Sequence, residues 1–493
     1  MSDITLEDIA SLAKRRGFIY QGSEIYGGLA GTWDYGPLGV ALKRNIMNLW
    51  WKMFVDQRDD MYGVDAAILM NQKVWKASGH VGTFTDPMVE DTKTHQRYRA
   101  DHLLKDQGFN VDGLKLDDLK RLIAENNIKS PEGNDLSNPQ MFNMMFKNVV
   151  GPKYTSVDRK QSGGLKAHVE FLNGENESEV VFDLNDEFSE LGGFMFYDTQ
   201  SISYLRPETA QGIFTNFKNV VDSFYPDIPF GLAQQGKAFR NEISPRDFVF
   251  RSREFEQMEI EYFVHPEKWE EAFEMWRTKV HEWCAALGLP DANVHELEVS
   301  EEDRAHYSNR TIDFEFDFPH GRDELLGLAY RTDFDLMNIQ NYSGRSMAYR
   351  PKDGSDPFVP HVIEPSFGVE RAVMATLTAA YAEDEQNGEK RIFLKLPKDL
   401  APIKACVSPL LKNKPELVTK AREVYAMLKK ELGAVMWDDN GNIGKRYRRQ
   451  DEIGTPACVT IDFQTLEDNT VTVRDRDSAE QTRVAVASLL EAL

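Results

Sequence analysis

The stretch from Ala233 to Phe263, AQQGKAFRNEISPRDFVFRSREFEQMEIEYF, constrains the fold more than any other part of the chain. It predicts two antiparallel strands joined by a polar loop, because its second half alternates between polar and apolar residues. Met258, Ile260 and Tyr262 point to one face, and the polar side chains between them point to the other. We therefore expect a sheet with one face on a core and chemistry on the opposite face.

The loop between these strands is rich in guanidinium groups. It carries Arg240, Arg246, Arg251 and Arg253 around Glu242. Arginine presents a planar fork of donors that suits phosphate oxygens, so the loop is a candidate phosphate site. The alternative is an ordinary solvated hairpin held by salt bridges.

A second feature is the sequence HVIEPSFGVER, from His361 to Arg371. It predicts a strand that ends at residues 364–366, followed by a helix with Arg371 in its first turn. A cation there opposes the helix dipole, which disfavours it as a stabilising residue. It is well placed, however, to meet an anion attracted to the same helix terminus.

A third feature is the glycine-rich segment 22–39, which leads through Trp33-Asp34-Tyr35-Gly36-Pro37 into a predicted helix over 38–55. Leu42, Ile46, Leu49 and Met53 form an apolar stripe on that helix. The stripe fits either an ordinary core helix or a helix at a subunit interface, and the proline just before the helix favours the interface.

Length and composition limit the class of protein. A chain of 493 residues is expected to form two or three domains. Its net charge of −22 argues against non-specific binding of polyanions but allows a local basic site. Cys284, Cys406 and Cys458 are scattered, which predicts buried thiols in a reducing cytosol, without zinc or disulfides. We find no secretory signal and no apolar run of membrane-spanning length.

Two changes of character along the chain suggest its organisation. Residues from about 104 to 180 are polar, contain a helical pattern over 114–126, and are interpreted as an insertion.

From about Leu396 onward, short strands and helices alternate, which predicts a small α/β domain. Its predicted elements are strands at 403–407, 434–437, 457–463 and 471–474, and helices at 416–432, 443–453 and 481–493. Its basic cluster at 445–449, with Tyr447 inside it, suits single-stranded RNA; the alternative is a solvated helix face.

Together, FRNE in a hairpin, GVER before a helix and a proline-led helix upstream resemble the three motifs of class II aminoacyl-tRNA synthetases. The chain also carries RADHL, FNMMFK, YLRPETAQGIF, FRSREFEQME, RTDFDL, EPSFGVER and RYRRQDEIGTP. These resemble the glycyl-tRNA synthetase family of the single-chain homodimeric kind. The resemblance implies an α+β fold: an antiparallel sheet flanked by helices over 1–395, with the insertion, then an α/β anticodon-binding domain over 396–493.

The resemblance also implies a site for ATP, with Arg240, Glu242 and Arg371 as the catalytic residues. Arg240 would hold the α-phosphate, and Phe255 and Arg371 would sandwich the adenine. Glu324 would help to hold the Mg²⁺ that accompanies ATP, because Mg²⁺ prefers oxygen ligands. The complete set implied for ATP is Arg240, Asn241, Glu242, Phe250, Arg251, Ser252, Arg253, Glu254, Phe255, Glu324, Leu325, Gly368, Val369, Glu370 and Arg371.

For the amino acid, the resemblance implies that Glu208, Glu259 and Glu364 surround the ammonium group of glycine. Arg331 and Ser366 are candidates for filling the space that a larger side chain would need. The complete set implied for glycine is Arg99, Glu208, Phe255, Glu256, Gln257, Met258, Glu259, Arg331, Glu364, Pro365, Ser366, Phe367 and Gly368. The expected partners are glycine, ATP, tRNA(Gly) and a second copy of the chain, in the cytoplasm and away from membranes.

Two rival interpretations remain open at this point. One is another synthetase with the same C-terminal domain, such as the threonine, proline or histidine enzyme. The other is a non-catalytic relative, since an accessory subunit of a mitochondrial polymerase resembles this family. The joint presence of Arg240, Glu242 and Arg371 favours an enzyme, and EPSFGVER with the three carboxylates favours glycine.

Overall fold

The structure is a computed structural model of the chain. It describes residues 4–111, 114–150, 202–243, 245–386 and 388–493 with their side chains. Between 150 and 202 it describes the backbone of four strands, at 154–156, 166–173, 176–183 and 195–197. Within these ranges, no helix combines the length and the apolar character needed to cross a membrane.

The first hundred residues lead into the main sheet. Their elements are α1 (Leu6–Arg16), β1 (Ile19–Gln21), β2 (Trp33–Tyr35), α2 (Pro37–Trp51), β3 (Met61–Gly63), α3 (Gln72–Ala77), α4 (His80–Thr83), β4 (Thr85–Glu90), β5 (Arg97–Arg99) and α5 (Ala100–Lys105). The predicted helix over 38–55 is confirmed: α2 begins with Pro37 in its first turn and continues as a π-helical turn over Lys52–Asp56. Leu42, Ile46 and Trp50 are fully buried in the core of the chain itself.

The region from 104 onward includes α6 (Leu116–Glu125), which confirms the predicted helix there, and β6 (Gln140–Asn143), β7 (Lys147–Val149), β8 (Tyr154–Ser156), β9 (Lys166–Asn173), β10 (Asn176–Asp183), β11 (Met195–Tyr197) and β12 (Ile202–Tyr204). Strand β6 pairs with β4, in a three-stranded sheet of order β5-β4-β6. The insertion that we expect over about 104–180 falls partly outside the described residues.

A seven-stranded sheet of order β15-β16-β17-β18-β14-β13-β3 forms the centre of the molecule. Its strands and flanking helices are α7 (Ala210–Phe224), β13 (Phe230–Phe239), β14 (Glu254–Val264), α8 (Trp269–Ala286), β15 (Val294–Glu298), β16 (Arg310–Phe318), β17 (Gly321–Thr332), α9 (Phe334–Ser343), β18 (His361–Gly368) and α10 (Val369–Ala380). All neighbouring strands run antiparallel except β3 and β13. The sheet and its flanking helices confirm the expected α+β class.

The predicted hairpin is confirmed as β13 and β14, but its polar face is enclosed. Met258, Ile260 and Tyr262 pack into the core with α2, α8 and α10. Phe263, on the opposite face, packs into a second core with α7 and α9. Glu259 and Glu261 of that same face are therefore only 2% and 0% exposed, because the second layer covers them.

Strand β18 extends further than the sequence predicted, to Gly368. Its pairing with β14 places Ser366 opposite Glu259 and Gly368 opposite Gln257. Helix α10 follows at once, with Arg371 in its first turn as predicted.

The remaining elements are β19 (Tyr381–Gln386), β20 (Glu389–Leu394), β21 (Ala405–Pro409), α11 (Pro415–Leu432), β22 (Val435–Trp437), α12 (Ile443–Glu452), β23 (Ala457–Ile461), α13 (Phe463–Asp468), β24 (Thr470–Asp475), β25 (Gln481–Ala485) and α14 (Leu489–Ala492). The last five strands form a sheet of order β22-β21-β23-β24-β25. The predicted helix over 481–493 is wrong for its first part, because 481–485 pair with β24 as a strand; a 3-10 turn at 486–488 and α-helix at 489–492 follow.

The basic cluster on α12 differs from the RNA-stacking surface that its composition suggested. Arg446 is 2% exposed and donates to the carbonyl oxygens of Pro409, Asp439 and Gly441. Tyr447 is half-buried, and its hydroxyl lies 2.8 Å from that of Thr460. The buried arginine and the tyrosine thus hold the domain together, because folding brings carbonyl and hydroxyl partners that the sequence does not reveal.

A network of charged groups joins α12 to the hairpin β19–β20. Arg391 is fully buried, pairs with Asp384 of its own hairpin, and donates to the carbonyl oxygen of Arg476 at 2.6 Å. Its guanidinium also lies 3.4 Å from Asp451 of α12. Arg474 holds the same Asp451 with two hydrogen bonds of 2.7 and 3.0 Å.

Candidate active site

Two small cavities adjoin each other above β14, β17 and β18. Cavity A measures about 310 Å³ and cavity B about 320 Å³. Four side chains line both of them: Arg240, Gln257, Glu324 and Ser366. The two cavities therefore form neighbouring halves of one site.

Most of the predicted site residues meet here. Those that line cavity A are Arg99, Arg240, Glu242, Phe250, Arg251, Ser252, Phe255, Gln257, Glu324, Leu325, Ser366, Gly368, Glu370 and Arg371. Those that line cavity B are Glu208, Arg240, Gln257, Glu259, Glu324, Glu364 and Ser366. Arg99, which the resemblance assigned to glycine, lines cavity A rather than cavity B.

The other predicted residues do not line either cavity. Met258, Phe367 and Val369 are buried in the core on the far side of the sheet. Glu254 and Glu256 pair with Lys237 and Lys43. Asn241, Pro365 and Arg331 also lie outside the two linings.

Arg253 joins the arginine-rich loop to the glycine-rich segment. Its side chain donates to the carbonyl oxygens of Glu242 at 2.8 Å and Ala30 at 2.9 Å. Gly31 has a φ of +72°, and a Cβ atom at that position would lie 2.6 Å from Pro245. Glycine is therefore required for this close contact, which fixes the loop beside cavity A.

Arg240 lies at the boundary of the two cavities. Its Nε donates to the carbonyl oxygen of Pro207 at 3.1 Å, and its guanidinium lies 5.3 Å from the ring centroid of Phe255. The same guanidinium lies 5.4 Å from the ring centroid of Phe84. These contacts orient a cation towards both cavities while leaving donors for an anion.

Arg371 and Glu324 form a pair at the wall of cavity A. The Nη1 atom of Arg371 lies 2.9 Å from a carboxylate oxygen of Glu324 and donates to its carbonyl oxygen, also at 2.9 Å. This pairing lowers the pKa of the Glu324 carboxyl, which stays charged. The guanidinium also lies 4.5 Å from the ring centroid of Phe250.

The carboxylates of cavity B are held in different ways. Ser366 donates to Glu259 at 2.7 Å, and Thr209 donates to its other oxygen. Glu208 lies 3.3 Å from His80. Its second oxygen is buried and has no hydrogen-bond partner among the described residues. Burial alone would raise the pKa of Glu208, but His80 and Arg331 outweigh it and lower that pKa to about 2.

Arg331 lies behind cavity B and supports it. It is 1% exposed, and its Nη1 lies 2.9 and 3.0 Å from the two oxygens of Glu364. Its Nε and Nη2 donate to Asp335 at 2.7 and 3.0 Å. The guanidinium also lies 3.8 Å from the ring centroid of Tyr307, which does line the cavity. Arg331 thus orients Glu364 rather than contacting the cavity directly.

Sequence reasoning missed several residues at the site: His80, Thr209, Tyr307, Asp313 and Asp335. Asp313 is notable, because burial together with Glu324 and Glu315 raises its pKa to about 7. The alternation of strand 311–318 places it on a polar face. No local pattern indicates that this face lies beside Glu324 of the neighbouring strand β17, however, because the contact depends on the pairing of β16 with β17.

The fold and the paired cavities define a class II tRNA synthetase core joined to a further α/β domain. Residues 194–381 match the family described as "tRNA synthetase class II core domain (G, H, P, S and T)". Residues 404–493 match the family described as "Anticodon binding domain". The prolyl-tRNA synthetase of Cryptosporidium parvum, solved with halofuginone and AMPPNP, shares the fold with a TM-score of 0.59 at 14% identity, over 98% of this chain and 73% of that one.

Curated relatives indicate which member of this class the chain resembles. The glycine–tRNA ligase of Deinococcus radiodurans is 43% identical over 99% of this chain and 98% of its own length. The glycine–tRNA ligases of Clostridium tetani and Geobacillus kaustophilus are each 44% identical, over 99% of this chain and 97% of their own length. The chain belongs to the glycine–tRNA ligase family.

Proposed function

We propose that this chain attaches glycine to tRNA(Gly) in two steps. ATP and glycine first form glycyl-adenylate and pyrophosphate, and the glycyl group then passes to the 3′ end of the tRNA. The observation that carries this proposal is the pair of cavities, one lined by arginines and one by carboxylates. An anionic nucleotide and a small ammonium compound would fit these two linings.

Cavity A is the proposed nucleotide site. Arg240 would bind the α-phosphate, where negative charge builds up as the glycine carboxylate attacks. Arg371 and Arg251 would bind the outer phosphates, and Phe255 and Phe250 offer aromatic faces to the adenine. No nucleophilic side chain is needed, because the substrate supplies the nucleophile and the protein supplies position and charge.

The site also suits the magnesium ion that accompanies ATP. The charged carboxylate of Glu324 lines both cavities, and Asp313 lines cavity B beside it. These oxygens are of the kind that Mg²⁺ prefers. Bound with ATP, the ion would neutralise charge on the phosphates.

Cavity B is the proposed glycine site. Glu208, Glu259 and Glu364 would receive the ammonium group. One oxygen of Glu208 accepts no hydrogen bond from any described residue and is available for one of the ammonium N–H groups. Selection for glycine would come from lack of room, because one methyl group contributes only about 1–3 kcal/mol of discrimination. Ser366 lines this cavity and is the proposed barrier to a Cβ atom, whereas Arg331 acts behind Glu364.

The proposed domain division is a catalytic part over 1–395 and an anticodon-reading part over 396–493. The separate five-stranded sheet and its own core support this division.

We also propose a homodimer located in the cytoplasm. The sequence suggested a subunit contact along helix 38–55, but the apolar stripe of α2 is buried in the core of the chain itself. The proposed contact is therefore the segment between β1 and β2, where Ile25 and Tyr26 are 88% and 87% exposed. The three buried free thiols fit a reducing compartment. A monomer in sedimentation at micromolar concentration would contradict the dimer.

Amino-acid-dependent ATP–pyrophosphate exchange tests the proposed reaction. Glycine should support exchange, whereas threonine, proline and histidine should not. Exchange with one of those three instead would identify a different synthetase, and no exchange with any amino acid would favour a non-catalytic relative.

Arg240→Ala tests the assignment of the nucleotide site. It should slow single-turnover adenylate formation about 10²-fold, since it removes a preorganised cation at the α-phosphate. Arg350→Ala, at an exposed position away from both cavities, is the matched control. Equal rates in the two variants would refute the role of Arg240.

A further inference from the structure

Glu261 is a buried carboxyl group to which the proposed reaction gives no role. It follows Glu259 by two residues on β14, so both side chains point to the same face of the sheet. Glu261 is 0% exposed and lies outside the linings of both cavities. Neither of its oxygens has a hydrogen-bond partner among the described residues.

The surroundings of Glu261 are strongly acidic. One carboxylate oxygen each from Glu259, Glu261 and Glu364 lie within 4.8 Å of one another, and all three residues are buried. The positive charge of Arg331 acts on Glu261, but its three guanidinium nitrogens already donate to Glu364 and Asp335. Within the part of the chain that the structure describes, Glu261 therefore has carboxylates as neighbours and no donor to stabilise a charge of its own.

Two of the three carboxyls are held as acceptors. Glu259 accepts hydrogen bonds from Thr209 and Ser366, and Glu364 accepts two from Arg331. A group that accepts hydrogen bonds from donors favours its charged form, and a buried group without donors favours its neutral form. The geometry thus assigns an extra proton in this cluster to Glu261. Burial raises the pKa of all three carboxyls, that of Glu364 to about 8 and that of Glu261 well above its usual range. The proton is assigned to Glu261 because Glu259 and Glu364 are the two that accept hydrogen bonds.

We propose that Glu261 is a neutral carboxylic acid that shares its proton with Glu364, and that it positions Glu364 for the ammonium group of the amino acid. This inference rests on the proposed function of cavity B. A neutral Glu261 lowers the buried negative charge that Arg331 and the ammonium group have to balance. It also supplies Glu364 with a donor in addition to Arg331, which restricts the orientation of its carboxylate.

Two substitutions separate this role from simple packing. Glu261→Gln keeps the shape and a neutral donor, whereas Glu261→Met keeps the approximate volume but removes the donor. We expect the KM for glycine in pyrophosphate exchange to rise about tenfold or more in Glu261→Met, because a hydrogen bond to a charged group is lost. Glu261→Gln should rescue glycine binding to within about threefold of the unmodified enzyme, and the KM for ATP should stay unchanged in both. Equal loss in the two variants would overturn the proposal.

Infrared difference spectroscopy tests the proton directly and needs no substrate. The spectrum of the unmodified full chain minus that of Glu261→Gln, at neutral pH, should contain the carbonyl band of a neutral carboxylic acid. Glu385→Gln, at an exposed position on β19, should give carboxylate bands only and serves as control. Carboxylate bands for Glu261 would refute the proposal, as would a stoichiometric metal ion in the purified enzyme that disappears in Glu261→Gln. An acid band in a protein that does not activate glycine would refute the proposed function instead.

Discussion

Replacement of Arg331 by methionine would remove the cation from a buried group of carboxylates. The Arg331 side chain is 2% exposed, and its partners Asp335 and Glu364 are 2% and 8% exposed. Methionine fills much of the same space, so the main loss is electrostatic. The two partners would then be left in the interior without a counter-charge.

The size of the effect follows from this burial. Removal of one partner from a buried ion pair costs about 3–5 kcal/mol, because an uncompensated charge stays behind. Arg310→Met is a matched control, since Arg310 also bridges two carboxylates, Glu274 at 2.7 Å and Glu298 at 3.0 Å. Those partners are each 49% exposed, so water replaces the lost contacts. We expect Arg310→Met to cost less than about 1 kcal/mol per pair.

Urea unfolding followed by tryptophan fluorescence measures the difference. Seven of the eight tryptophans precede residue 396, so the signal reports mainly on the proposed catalytic part. The midpoint should fall clearly further in Arg331→Met than in Arg310→Met, and Asp335→Asn should restore part of the loss when added to Arg331→Met. Similar midpoints for the two single variants, or strictly additive losses in the double variant, would refute the electrostatic reasoning.

Three further predictions follow from the site and its connections. Ser366→Gly should raise the kcat/KM for alanine relative to glycine about tenfold and weaken both substrates, since Ser366 donates to Glu259 at 2.7 Å; an unchanged ratio in pyrophosphate exchange would exclude Ser366 as the barrier. Arg391→Ala should slow tRNA charging about tenfold or more while exchange stays within about twofold, because it loosens α12 from the hairpin β19–β20; equal losses in the two assays would contradict this. Burial raises the pKa of Glu370 to about 7 in the native state, above its unfolded value, so the native state keeps this proton over a pH range in which the unfolded state has lost it. Native stability should therefore fall by about 3 kcal/mol as the pH rises from about 4.5 to 7, and Glu370→Gln should remove that slope in urea titrations; an unchanged slope would rule out Glu370 as its source.

Much of the fold is predictable from local periodicity. The hairpin β13–β14, helix α2 with its initial proline, and the alternation of strands and helices after residue 396 all leave a pattern in neighbouring residues. The same holds for Arg371, whose place in the first turn of α10 follows from the glycine before the helix. These features were predicted because backbone propensity and side-chain spacing act over a few residues.

Tertiary structure decided the rest. Residues 481–485 carry a helical pattern but form a strand, because β24 offers an open edge for pairing. The composition around Arg446 suggests a surface charge, yet its guanidinium donates to the carbonyl oxygens of Asp439 and Gly441, just before α12, and of Pro409 at the end of β21.

The clearest case is the polar face of β14. The alternation places Glu259 and Glu261 together, but it does not show that α7 and α9 cover them, nor that β17 and β18 bring Arg331 and Glu364 alongside. The sequence by itself determined which groups share a strand face. The charge state and role of each group depended on which donors and cations the folded chain placed within a few ångströms, since electrostatic interactions in a buried site are set by distance and by the exclusion of water.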